Sequence, residues 1–166
     1  LGAFSAELGQ YGIAKAYYET ALVRYREIGH QQGEMKVLNN MGVVALNLGH
    51  WQRAIDLHLQ VLQMRRDAED ARGEIQTHLN LGVVYLSQKD TCSAEKHLTQ
   101  GVQSAEVHNL RILKTKLLSN LAWMARIQED YQQSLAYAEE TLTLVYEIDQ
   151  RQTEGDALYQ LSLIHI

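Results

Sequence analysis

Apolar residues recur at helical spacing along most of the chain. Val37, Leu38, Met41, Val44, Ala45 and Leu48 follow the i, i+3, i+4, i+7 pattern of a helix with one buried face. Leu48-Gly49-His50 then predicts a stop, because glycine best tolerates the left-handed geometry just past a helix end. Trp51 opens a second helix with Ala54, Ile55, Leu57, Val61, Leu62 and Met64 on its apolar side. This helix is expected to reach about Glu69, with Asp70-Ala71-Arg72-Gly73 as the link to the next pair. The first helix of each pair is expected to span about 14 to 16 residues and the second slightly more.

The pattern repeats every forty residues. Gly2, Gly42 and Gly82 are followed in series by Ala122, each preceded by an apolar residue (Leu1, Met41, Leu81, Leu121). Ala14, Ala54 and Ala94 are followed by Ser134, and Gly33-Glu34 returns as Gly73-Glu74. Aligning residues 33–72 with 73–112 gives identities at Gly33, Glu34, Asn40, Gly42, Val43, Val44, Leu46, Ala54, Gln60 and Gln63. Composition alone would give roughly two or three such matches, so the chain is a repeat array. The small residues mark where paired helices approach. Gly42 and Ala54, 12 apart across a tight turn, are expected to face each other.

The sequence contains no proline, which frees it to be helical nearly throughout and leaves its 11 glycines as the expected joints. With 46% apolar residues over 166 positions, the chain can fill a core, which excludes intrinsic disorder. No apolar run approaches the roughly 20 residues of a membrane span. The net charge is −5 and no basic stripe occurs, which argues against nucleic acid as a partner. A single cysteine, Cys92, cannot form an internal disulfide, and residues 1–10 lack the features of a signal peptide, so a cytoplasmic setting is expected.

Catalytic and metal-binding patterns are missing. His50 and His58 are eight apart with no carboxylate placed between them as in HExxH, and His78, His97 and His108 look isolated. Cys92 opens a predicted helix, but no base is placed for a nucleophile. Glu139 and Glu140 are adjacent and point about 100° apart on a helix. The glycines between Gly2 and Gly12 belong to a helix turn rather than a phosphate loop. Neither an enzyme active site nor a cofactor is expected. One polar series has no packing reason: Asn40, Asn80 and Asn120, with Gln160 as its fourth term.

The run Asn40-Met41-Gly42, Leu48-Gly49-His50-Trp51, Ala54 and Leu62 resembles the tetratricopeptide signature. The third copy keeps Asn80-Leu81-Gly82, Tyr85 and Ala94 but carries Lys89 at the second glycine, and the fourth has Ala122, Glu129 and Ser134 at signature positions. A usual tetratricopeptide unit is about 34 residues and often carries proline. The longer, proline-free unit is similar to the extended repeats of kinesin light chains, spindle-orientation adaptors and bacterial signalling ATPases and transcriptional regulators. The resemblance implies an all-α, right-handed superhelix (α-solenoid) of stacked antiparallel helix pairs. Its units would be 1–32 (partial), 33–72, 73–112, 113–152 and 153–160 (partial), the last beginning a fifth first-type helix near Arg151. Residues Leu161–Ile166 read as a translated sequencing adaptor and are expected not to be native.

By the same resemblance, the first helix of each pair lines a concave groove that holds an extended peptide. The groove would present Lys36, Asn40, Val43 and Asn47 from one copy, Gln76, Leu79, Asn80, Val83 and Leu86 from the next, and Lys116, Asn120, Trp123 and Arg126 from the third. Asparagine suits a peptide backbone because its amide offers a donor and an acceptor together. A compatible alternative is that the same amides bond a neighbouring helix or link carbonyl and stabilise the stack. Trp123, where the preceding copies have valine, either anchors a ligand or packs between repeats. Lys36, Lys116 and Arg126 make the groove locally basic, so the expected partner is a protein or extended peptide with acidic or C-terminal carboxylate character. Two other readings stay open: a ligand-sensing region of a signalling ATPase or transcriptional regulator, and a non-catalytic segment of an enzyme.

Overall fold

A computed structural model describes the backbone of residues 11–164 and the side chains of residues 13–149 and 151. Seven helices follow one another with no strand among the described residues: α1 (Tyr11–Glu27), α2 (Gln31–Asn47), α3 (Trp51–Asp67), α4 (Ala71–Ser87), α5 (Thr91–Val107), α6 (Arg111–Ile127) and α7 (Tyr131–Ile164). Consecutive helices pack against each other throughout, which gives the all-α helical-repeat superhelix expected from the period. None of the described helices is long and apolar enough to cross a membrane.

The helices from α1 to α6 are all 17 residues long, so the first and second helices of a pair do not differ in length as expected. A three-residue link separates each pair of neighbours, and its middle residue is left-handed: Gly29, Gly49, Glu69, Lys89, Asn109 and Glu129. The backbone period is thus 20, half the sequence period. Every link closes with the same two bonds. His50 N–H donates to the Ala45 carbonyl at 2.8 Å and Gly49 N–H to Leu46 at 2.9 Å, a Schellman motif that satisfies the last carbonyls of α2. At four of the six links the third residue also caps the next helix, while His50 and Leu110 make no side-chain cap bond. Asp70 and Asp90 accept from the Gly73 and Ser93 amides at 2.9 and 3.0 Å, and His30 Nδ1 accepts from Gly33 at 2.9 Å.

Among the described residues only Gly29 and Gly49 are glycines that serve as joints. The glycines inside helices make room for side chains of the neighbouring helix instead. A Cβ on Gly82 would lie 2.5 Å from Leu98 Cδ2, one on Gly101 2.7 Å from Leu117 Cδ2, and one on Gly42 2.7 Å from His58 Nε2. The atoms nearest a Cβ on Gly42 are those of His58 rather than Ala54, and the 12-residue pairing appears two units on, where the Ser134 hydroxyl donates to the Ala122 carbonyl at 2.9 Å. Ala54 and Ala94 are fully buried nonetheless, and Ala94→Leu is expected to destabilise the fold by about 1–3 kcal/mol through overpacking. An unchanged melting temperature for that variant would contradict the packing described.

Three apolar clusters run along the stack, the largest joining Ile75, Leu98, Leu117 and Leu118 across α4, α5 and α6. Gly73, expected at the end of a link, lies in the first turn of α4. The break expected near Arg151 is absent: α7 continues for 34 residues to Ile164. Asp149 does not take the left-handed conformation of Glu129, twenty residues earlier. His165 and Ile166, with Leu1 to Gln10, lie outside the described residues, as do the side chains of 161–164.

Candidate binding face

Helix α2 contacts α4, and α4 contacts α6, while no two of α1, α3, α5 and α7 make a comparable contact. The three even-numbered helices therefore line one inner side of the stack. On each, a file of four residues at i, i+4, i+7 and i+11 lies clear of the buried stripe. The files are Lys36, Asn40, Val43 and Asn47 on α2, Gln76, Asn80, Val83 and Ser87 on α4, and Lys116, Asn120, Trp123 and Ile127 on α6. Lys36, Val43, Asn47, Lys116 and Trp123 are exposed, the indole residue by 40%, while Val83 and the three asparagines are half-buried. Arg126 is exposed but flanks the file rather than joining it. Leu79 and Leu86, expected in the groove, are buried in the central apolar cluster instead, because they stand one position off the exposed file.

The asparagines differ in what they bond. Asn80 Nδ2 donates to Asn39 Oδ1 across the α2–α4 junction at 2.8 Å, and Asn80 Oδ1 accepts from Gln76 Nε2 at 3.2 Å. Asn120 Nδ2 donates to the Lys116 carbonyl within its own helix at 2.8 Å. Asn80 thus links repeats while keeping one N–H and one lone pair for another group. Asn39, Ser87 and Ile127 belong to this surface and were not singled out from sequence; their only signal is their place in the repeat register. Neither Lys36, Lys116 nor Arg126 forms an ion pair among the described residues, so their charge is uncompensated there.

The histidines are less isolated than their spacing suggests. His78 on α4 and His97 on α5, 19 apart, bring their Nδ1 atoms to 3.0 Å, with Tyr85 stacked on His97 at 5.5 Å. Burial, then the neighbouring His78, Lys96 and Arg66 charges, push His97 down to about 4, and burial likewise lowers His78 against the opposing pull of Glu74. One ring donates and the other accepts, so a neutral pair satisfies the bond. Among the described residues no group of three His, Cys, Asp or Glu side chains is arranged to hold a metal. Cys92 is exposed at the start of α5.

A tetratricopeptide repeat family model matches residues 1–67 and 33–106, and a second such model matches residues 116–147. No curated protein matches the sequence significantly. Among solved structures, BtubC (BKLC) from P. vanneervenii is 19% identical with a TM-score of 0.79 over 90% of this chain and 62% of its own. A signal transduction ATPase with a tetratricopeptide repeat sensor from Pyrococcus horikoshii is 16% identical, with a TM-score of 0.81 over 95% of this chain and 24% of its own. A putative kinesin light chain from Podospora anserina with nearly identical repeats is 15% identical, with a TM-score of 0.74 over 90% of this chain and 74% of its own. At such identities the likeness is one of fold. The chain spans less than two thirds of the first two of these proteins.

Proposed function

We propose, from the premise that this chain belongs to the tetratricopeptide repeat family, that it is a protein-interaction scaffold whose inner face holds an extended peptide segment of a partner. The observation that carries this is the threefold file of polar and apolar residues on α2, α4 and α6, with an asparagine second in each: Asn40, Asn80 and Asn120. Neighbouring helices pack about 8–10 Å apart and an extended peptide rises about 3.3 Å per residue, so one amide would meet roughly every third peptide residue. Each amide can then pair with a backbone N–H or C=O. Val43, Val83 and Trp123 follow in the file and supply apolar contact, with the indole as the largest anchor. Lys36 and Lys116 open the files, and Asn47 closes the first of them. With Arg126 beside them, they favour acidic residues in the ligand.

Peptides selected from a library against the full chain test this reading. Trp123→Ala is expected to weaken a selected peptide tenfold or more, as loss of a buried aromatic anchor usually does. Asn80→Ala is expected to weaken it by less, with helicity unchanged and the melting temperature lowered only by the loss of the bond to Asn39. Equal binding with a lower melting temperature would make the Asn39–Asn80 bond purely structural and move the ligand elsewhere.

A further inference from the structure

Where the links and first turns of α4 and α6 meet, the surface opens into a cavity of about 660 Å³. That is within the size range of specific ligand sites. Arg65, Arg72, Arg111, Lys116 and Arg151 line it, against Asp70 as the one carboxylate. Arg65 is engaged by Asp70 at 2.9 Å, and Arg111 by Glu147 of α7. Among the described residues Arg72 and Lys116 form no ion pair, and Arg65 Nε is buried without an acceptor. In a chain of net charge −5, this gathering of like charge runs against composition. Cations held together around an apolar floor of Leu110, Ile112 and Ile148 repel one another more than they would in open solvent. An anion relieves that repulsion.

We infer that this cavity receives the carboxylates of an acidic peptide, and that the acidic preference of the inner face is read here. The guanidinium fork donates two parallel N–H···O bonds to a carboxylate, a geometry the ammonium of lysine cannot offer. Gly73 makes the arrangement possible: a Cβ there would fall on the Arg65 guanidinium and on Asp70. The inference rests on the inner-face reading in one respect, that Gln76 and Lys116 belong to both surfaces, so a peptide lying along the files leads into the cavity.

The test uses the full chain and a fluorescein-labelled tetraglutamate, with tetraglutamine as the neutral counterpart, read by fluorescence anisotropy. Tetraglutamate is expected to bind more tightly than tetraglutamine, with an affinity that falls as salt is raised. Arg72→Gln combined with Arg151→Gln, both exposed positions, is expected to weaken tetraglutamate at least tenfold. Lys96→Gln, on the exposed side of α5 and outside both the cavity and the inner face, is expected to leave it unchanged. Equal binding of the two probes, or equal weakening by Lys96→Gln, would overturn the inference in favour of diffuse attraction. Retention of tetraglutamate by Trp123→Ala would support the cavity whatever becomes of the inner face. Loss in Trp123→Ala but not in the arginine double variant would overturn the cavity and leave the inner-face reading standing.

Discussion

Leu98→Ala is expected to lower the free energy of unfolding by about 3–4 kcal/mol, measured as a shift in the urea midpoint at constant slope. Leu98 is fully buried at the centre of the largest apolar cluster and rests on the bare backbone of Gly82. Truncation removes transfer energy and also leaves a void that two packed helices cannot close. The two positions share one space, so they should couple. Gly82→Ala alone forces a Cβ to within 2.6 Å of Leu98 Cγ and is destabilising. Added to Leu98→Ala, the same methyl fills part of the void, and the double variant is expected to be more stable than the sum of the single effects by about 1 kcal/mol or more. Additive effects would mean that Leu98 does not lie over Gly82.

The second expectation concerns the equivalent place one unit earlier. His58 stands over Gly42 as Leu98 stands over Gly82, is 1% exposed, and neither ring nitrogen has a hydrogen-bond partner. Burial pushes its pKa from 6.5 down to about 4. The unfolded chain therefore takes up a proton before the folded one does. The stability tied to the neutral ring is complete above pH 6.5 and is lost as pH falls toward 4. His58 alone accounts for a loss of about 2 kcal/mol by pH 5. His97, lowered for the same first reason, steepens the fall. His58→Leu copies the arrangement at Leu98. It is expected to raise stability at neutral pH by about 1–3 kcal/mol, by removing two unsatisfied polar atoms, and to flatten the decline between pH 6.5 and 5. Urea melts at pH 7.5 and 5.0 decide it: a variant less stable than the parent at pH 7.5 would show that the imidazole is bonded in the native state.

The forty-residue period, the apolar stripe of α2 and the stop at Gly49 were all legible because periodicity and glycine leave a direct mark on sequence. The twenty-residue backbone period was not. Four of its six left-handed positions are Glu69, Lys89, Asn109 and Glu129, held by the Schellman bonds of their links rather than by residue type. Glycine read as punctuation therefore misplaced Gly73 and left the true partners of Gly42 and Gly82 unseen. Those partners follow a register, since Gly42 with His58, Gly82 with Leu98 and Gly101 with Leu117 are each 16 apart. The exposed file of each inner helix was readable up to a one-residue error. That error matters on a helix: it put Leu79 and Leu86 in the groove when both are buried, and it took Arg126 for a member rather than a neighbour of the file. The His78–His97 contact and the cationic cavity depend on side chains from different helices, so no local pattern announces them.

The inner face is tested most directly by recording amide chemical shifts of the isotopically labelled chain while a library-selected peptide is added. The perturbed residues are expected to fall on α2, α4 and α6, centred on Asn40, Val43, Asn80, Val83 and Asn120, with the Trp123 indole shifting most. Perturbations confined to the outer helices α3 and α5, around the exposed Leu59 and Val107, would contradict the inner face as the binding surface.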